Sequence, residues 1–220
     1  MIDKFFATLE AALADVPDGA SVMIGGFGNA GMPAELIDCL IAQGAKDLTV
    51  VNNNAGNADA GLAALIGAGR VRKIICSFPR QTDSWHFDKL YRAGKLELEL
   101  VPQGTLAERI RAAGAGIGAF FTPTAFGTRL AEGKETREIA GRGHVLEYPI
   151  HADYALIKAD RADRWGNLTY RKTARNFAPI MASAAKCTVV QVRETVELGE
   201  LDPETVVTPG IFVKRVIKLH

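Results

Sequence analysis

A chain of 220 residues with 48% apolar and 23% charged side chains can bury a sizeable core and has the make-up of a soluble globular protein. Its 26 basic and 25 acidic residues leave a formal net charge of +1 and are interspersed, as in Arg92 to Glu99, which argues against a nucleic-acid binder. Three cysteines (Cys39, Cys76, Cys187) in apolar surroundings without metal-ligand spacing, no signal or transit pattern at the N-terminus and no membrane-length apolar run predict a cytoplasmic protein with reduced thiols and no metal.

Phe5, Leu9, Leu13 and Val16 recur at helical spacing and predict a helix over 3–16. SVMI, from Ser21, reads as a buried strand that enters a glycine turn, IGGFGNAGMP. Pro33 then opens a helix with the apolar stripe Leu36, Ile37, Leu40 and Ile41, stopped by Gly44. LTVVNNN is a strand ending in three asparagines, and ADAGLAALIGAG a short helix closed by Gly67 and Gly69. VRKIICSF, SWHFDKLYRAG, KLELELV, GTLAERIRAAG and GIGAFFTP continue as strand, helix, strand, helix and strand, with Glu97 and Glu99 on the exposed face of the alternating one. This rhythm predicts an α/β fold, an open, mostly parallel twisted sheet with helices on both faces. Residues 123–149 break it and predict a small antiparallel excursion at the sheet edge. YALIKA, a helix over about 176–186 and CTVVQV resume it. With no linker, repeat or low-complexity segment, residues 1–220 are expected to form one domain.

Ligands of open α/β sheets bind beyond the carboxyl ends of the strands. There this chain places GGFGNAG, Asn52 to Asn54, SFPRQTDS, PQGT and TPTAFGT. Gly26, Gly28 and Gly31 fit G-x-G-x-x-G, but a dinucleotide site needs an acid about twenty residues on, where asparagines stand, and Met32-Pro33 is unusual at a pyrophosphate-binding helix start. A plain structural turn is the competing reading. The asparagines read either as a turn with a helix cap or as amides aimed at a carbonyl or carboxylate. His86, His144, His151 and His220 are isolated and read as surface or structural groups. Cys76 reads as core, and Arg171, Lys172 and Arg175 as a solvated basic turn. No nucleophile–base pair appears. A binding edge without a catalytic set suits a binding domain or one half of an enzyme.

IGGFGNAGMP, NNNAG, PQGTLAERIRAAGAGIGAFFTPT and ADRWGNLTYRKTARNF, in this order across the whole chain, resemble the class I CoA-transferases. CSFPRQTDS and IHADYALIKADRADRWGNLTYRK are most similar to the A-type subunits acting on 3-oxoadipate rather than on acetoacetate. The resemblance implies the open α/β fold derived above and a homologous B-type CoA-transferase subunit as partner, in a heterodimer or A2B2 heterotetramer, with the active site between the two. It also implies transfer of CoA from succinyl-CoA to a 3-oxo acid through a glutamate of that partner, coenzyme A being a co-substrate, with no tightly bound cofactor, nucleic acid or membrane partner. The family's Ser-Glu-Asn-Gly motif is absent, so no catalytic residue falls in this chain. Asn53, Asn54 and Gln103 match the substrate-contacting amides. Gly25, Gly26, Phe27, Gly28, Asn29, Ala30 and Gly31 match the segment assigned to CoA. An acetoacetate-directed relative and a stand-alone nucleotide-binding domain are the alternatives.

Overall fold

Strand β1 (Ser21–Ile24) lies inside an eight-stranded sheet, and the chain winds away from it in both directions. In the computed structural model, which describes residues 2–219, β2 (Leu48–Val51), β3 (Val71–Cys76) and β4 (Glu97–Leu100) follow one another on one side of β1. The chain leaves the sheet for β5 (Phe120–Thr122), β6 (Thr136–Ile139) and β7 (Arg142–Glu147). It returns on the other side of β1 with β8 (Ala152–Asp163), to which the short β9 (Leu168–Thr169) pairs antiparallel, then β10 (Ala185–Val196) and β11 (Arg215–Lys218). All other pairs in this sheet are parallel. The winding reverses between β1 and β8, so a crevice opens at their carboxyl ends.

Two helical layers cover the sheet. Helices α1 (Leu9–Leu13), α2 (Ala34–Gln43), α3 (Gly61–Gly67) and α4 (Trp85–Arg92) pack on one face, against Val22, Ile24, Val50, Ile74 and Leu156. Helices α5 (Gln103–Gly114) and α6 (Ala178–Ala184) pack on the other, against Met23, Val51, Ile75 and Ile157. Successive residues of each strand feed opposite cores, which is why these strands read as continuous apolar runs. Gly44 adopts φ 100°, and its N–H closes α2 on the Leu40 carbonyl. The parallel α/β sheet with helices on both faces is as the sequence predicts, and no helix among the described residues is long and apolar enough to cross a membrane.

Four expectations need correction. The first helix spans only Leu9–Leu13, capped by the Thr8 hydroxyl accepting the Ala11 N–H. Residues 4–6 run extended beside β11, where the Phe6 N–H bonds Val216 O and the Val216 N–H bonds Lys4 O, both at 2.8 Å, so the helical spacing of Phe5 is accidental. Strand β5 does not extend the parallel sheet. It pairs antiparallel with β7, and β6, β7 and β5 make a sheet of their own instead of an edge on the large one. The fourth concerns Glu99, which is half-buried between Lys73 (2.6 Å) and Arg109 (3.0 Å). Burial alone would raise its pKa, but the two cations hold it below the usual value. Arg109 also bonds the Tyr148 carbonyl at 2.7 Å and so ties the small sheet to the large one. His220 lies outside the described residues.

Candidate active site

The carboxyl ends of β1, β2 and β3 and the start of α5 enclose a cleft of about 490 Å³, lined by Phe27, Gly28, Asn53, Asn54, Ser77, Phe78, Gln81 and Gln103. The asparagine run divides its labour. Asn52 is structural, its buried side-chain amide donating to the Ile24 carbonyl at 2.6 Å and locking β1 to β2. Its Oδ1 accepts the Asn54 N–H at 2.9 Å, and Asn54 Oδ1 accepts the Gly56 N–H at 2.8 Å. Asn53 Oδ1 accepts the Ser77 hydroxyl at 2.8 Å, while the Asn53 carbonyl takes the N–H groups of Ser77 and Phe78 at 3.1 Å. Each side-chain oxygen is thus consumed by the fold. The Nδ2 groups of Asn53 and Asn54 carry no hydrogen bond among the described residues and remain donors in the cleft. The asparagines do not cap α3, whose N-cap is Ala60.

Gln103 stands at the first position of α5, exposed and unbonded among the described residues. No side chain caps this helix, so its positive end also lies at the cleft. Phe27 and Phe78, 49% and 59% exposed, supply apolar walls. The lining carries no charge. Ser77 has no base beside it, because its hydroxyl is engaged with Asn53. Neutral donors can therefore stabilise a carboxylate or developing oxyanion here, and the cleft holds no activated nucleophile of its own.

The seven residues of the glycine turn do not share one role. Phe27 and Gly28 reach the amide cleft. Phe27 and Ala30 bond each other's backbone (3.0 and 3.2 Å), and the Gly25 N–H bonds Leu156 O at 2.9 Å, so these three N–H groups are not free for a ligand. Gly26, Gly28, Asn29 and Gly31 keep theirs unbonded among the described residues. Gly31 is a close-approach glycine, since a Cβ there would strike the Ala174 carbonyl oxygen. Ala30 lines a second cleft.

Sequence reasoning put SFPRQTDS at the sheet edge without separating its members. Ser77, Phe78 and Gln81 line the cleft, whereas Arg80 turns away to pair with Asp88 at 2.9 Å. Their signal was position alone, directly after β3. His86 is not isolated, for its Nε2 lies 2.7 Å from Asp59 Oδ1, which also accepts the Trp85 indole N–H. His144 Nδ1 bonds the Arg142 carbonyl. Cys76 is fully buried, and burial pushes its thiol up to about 12, so it is core and not a nucleophile.

Residues 6–219 match the family described as Coenzyme A transferase. The chain belongs to this family. It is 68% identical to the A-type subunit of 3-oxoadipate CoA-transferase from Pseudomonas putida over 217 residues, 99% of this chain and 94% of that one. It is 49% identical to the A-type subunit of the probable succinyl-CoA:3-ketoacid coenzyme A transferase of Bacillus subtilis (strain 168), over 97% of this chain and 89% of that one. Its fold is similar to an acyl-CoA transferase apoenzyme from Escherichia coli O157:H7, with a TM-score of 0.87 at 21% identity, covering 99% of this chain. The chain spans about half (47%) of that larger protein, so the likeness shows the fold alone.

Proposed function

We propose that this chain is the A-type half of a CoA-transferase that moves CoA from succinyl-CoA to 3-oxoadipate and works only with a B-type partner. The observation that carries the proposal is the uncharged cleft in which Asn53, Asn54 and Gln103 offer side-chain amides while no nucleophile is present. The 68% identity to one half of a 3-oxoadipate CoA-transferase supports the choice of acid.

In this reading a glutamate of the partner enters the open side of the cleft and attacks the thioester carbonyl. Coenzyme A leaves as the thiolate and then attacks the glutamyl carbonyl of the resulting anhydride, expelling succinate and giving an enzyme-bound glutamyl thioester. The sequence reverses on the acceptor acid, so the thioester's energy is kept. The amides donate to the oxyanion of each tetrahedral intermediate. Being neutral, they do so without forming a permanent ion pair with the glutamate, as an arginine would. Phe27 and Phe78 keep water from the anhydride.

The acceptor is tested by comparing kcat/KM for 3-oxoadipate and acetoacetate in the reconstituted complex. A preference for 3-oxoadipate of tenfold or more is expected. The reverse preference would place the chain with its succinyl-CoA:3-ketoacid relatives.

A further inference from the structure

Gln81 is the fourth side-chain amide in the lining of the cleft, with Asn53, Asn54 and Gln103. It comes from a different element. Asn53 and Asn54 follow β2 and Gln103 begins α5, whereas half-buried Gln81 sits on the loop that joins β3 to α4.

That loop is held at several points. The Gln81 N–H donates to the hydroxyl of buried Ser84, which donates in turn to the Gln81 carbonyl at 3.1 Å. The Ala58 N–H bonds Asp83 O at 2.9 Å. Asp59 accepts the Trp85 indole N–H at 3.1 Å and lies 2.7 Å from His86 Nε2. These bonds strap the loop after β3 to the loop after β2. Within the strap, Asn57 Nδ2 donates to Gln81 Oε1. Gln81 thus repeats the arrangement of Asn53. A neighbour takes the amide oxygen, and Nε2 carries no hydrogen bond among the described residues.

An oriented donor without a partner, in a cleft lined by no charge, is built to meet an acceptor. In the CoA-transfer reading Asn53, Asn54 and Gln103 attend the reacting carbonyl, which leaves Gln81 for the other end of the acyl group. The two competing acids differ there. 3-Oxoadipate carries a second carboxylate, and acetoacetate ends in a methyl group. Arg80, the neighbouring cation, is engaged by both oxygens of Asp88 (2.9 and 3.1 Å) and does not line the cleft. A neutral amide suits the task. It gains from a charged acceptor, yet it does not hold a spent dicarboxylate as an ion pair would.

We propose that Gln81 reads the second carboxylate of a dicarboxylic acyl group, and that Asn57 sets the direction of its amide. The proposal rests on the CoA-transfer reading above. Succinyl and 3-oxoadipyl groups share this chemistry, the succinyl carboxylate standing two carbons closer to the thioester.

The test uses the complex with the B-type partner. In Gln81→Leu, the ratio of kcat/KM for 3-oxoadipate to kcat/KM for acetoacetate should fall roughly tenfold, the worth of one hydrogen bond to a charged group at a partly open site. The loss should lie on the 3-oxoadipate side. Asn57→Asp puts an acceptor where the donor stood, turns the Gln81 amide round, and should reproduce the fall without lowering the melting temperature. Ping-pong kinetics separate the two acids of the cycle. A parallel fall in kcat/KM for succinyl-CoA places both second carboxylates at Gln81, and an unchanged value places there that of 3-oxoadipate alone. Equal losses for 3-oxoadipate and acetoacetate overturn the proposal in favour of a fourth donor to the reacting carbonyl. An unchanged ratio with unchanged rates overturns it outright. If the wild-type complex transfers no CoA, the functional reading fails, and calorimetry of 3-oxoadipate against wild type and Gln81→Leu still decides Gln81. Should Gln81→Leu not fold, Asn57→Asp, at an exposed position, decides.

Discussion

Ser77 Oγ lies 2.8 Å from Asn53 Oδ1 and 3.0 Å from the Asn53 main-chain oxygen. One hydroxyl thus fixes which end of the Asn53 amide faces the protein and leaves Nδ2 toward the cleft. In the proposed reaction Ser77 would act through Asn53, as a positioning residue. Ser77→Ala should lower kcat about tenfold, one hydrogen bond's worth of orientation, with little change in KM. Ser77→Thr, which keeps the hydroxyl, should recover most of the loss. A fall in thermal stability with unchanged kcat in Ser77→Ala would reduce the bond to a structural one.

Gln103 makes no hydrogen bond among the described residues and is exposed at the start of α5, so its side chain adds little to the fold. Gln103→Ala in the reconstituted complex should leave the melting temperature in place and reduce kcat by about 10²-fold, as for loss of one oxyanion donor. Wild-type turnover would remove Gln103 from the site.

Two glycines of the same turn should respond differently to alanine. Gly28 has φ 57° and open space around it, so Gly28→Ala costs only backbone strain, about 1 kcal/mol. Gly31 has φ 76° and also faces the Ala174 carbonyl, which is backbone and cannot swing away. Gly31→Ala should cost about 3 kcal/mol or more in urea unfolding. Equal losses would mean that the basic turn is not pressed against Gly31.

Asp153 ties the start of β8 to β1. The Ser21 N–H and hydroxyl bond its Oδ2 (3.0 and 2.7 Å), and Lys186 reaches Oδ1 at 2.9 Å. These bonds, the Ser21 backbone bond foremost, lower its pKa to about 2. A depressed carboxylate stabilises the fold above its unfolded pKa and loses that contribution as pH falls toward 2. Stability should therefore drop between about pH 4 and pH 2. Asp153→Asn should flatten part of that drop and cost about 1 kcal/mol at pH 7, a small figure because the carboxylate is partly exposed. Parallel acid-unfolding curves for variant and wild type would contradict this.

Periodicity carried most of the large sheet. Strands β1, β2, β3, β8 and β10 were visible as apolar runs, because both of their faces are buried, whereas β4 was read from its alternation and β11 was not anticipated. What it could not carry was pairing across long separations. FFT in β5 has the composition of any strand, and only its partner β7, more than twenty residues on, sets its direction. The extended Lys4–Phe6 segment likewise depends on β11 at the far end of the sequence. At the site, strand-end position brought out the asparagine run, PQGT and the glycine turn, and only the family resemblance singled out Asn53, Asn54 and Gln103 among them. That Asn53 needs Ser77, and that Gly31 faces the turn after β9, are contacts between distant residues that no local spacing encodes.

The division of labour between two chains is the central claim, and reconstitution tests it most directly. This chain alone, given succinyl-CoA and 3-oxoadipate, should form no 3-oxoadipyl-CoA. Adding the B-type partner should restore transfer, and mass spectrometry of the complex trapped with succinyl-CoA should find the CoA adduct on a glutamate of that partner. Turnover by the isolated chain, or an adduct on one of its own residues, would contradict the account.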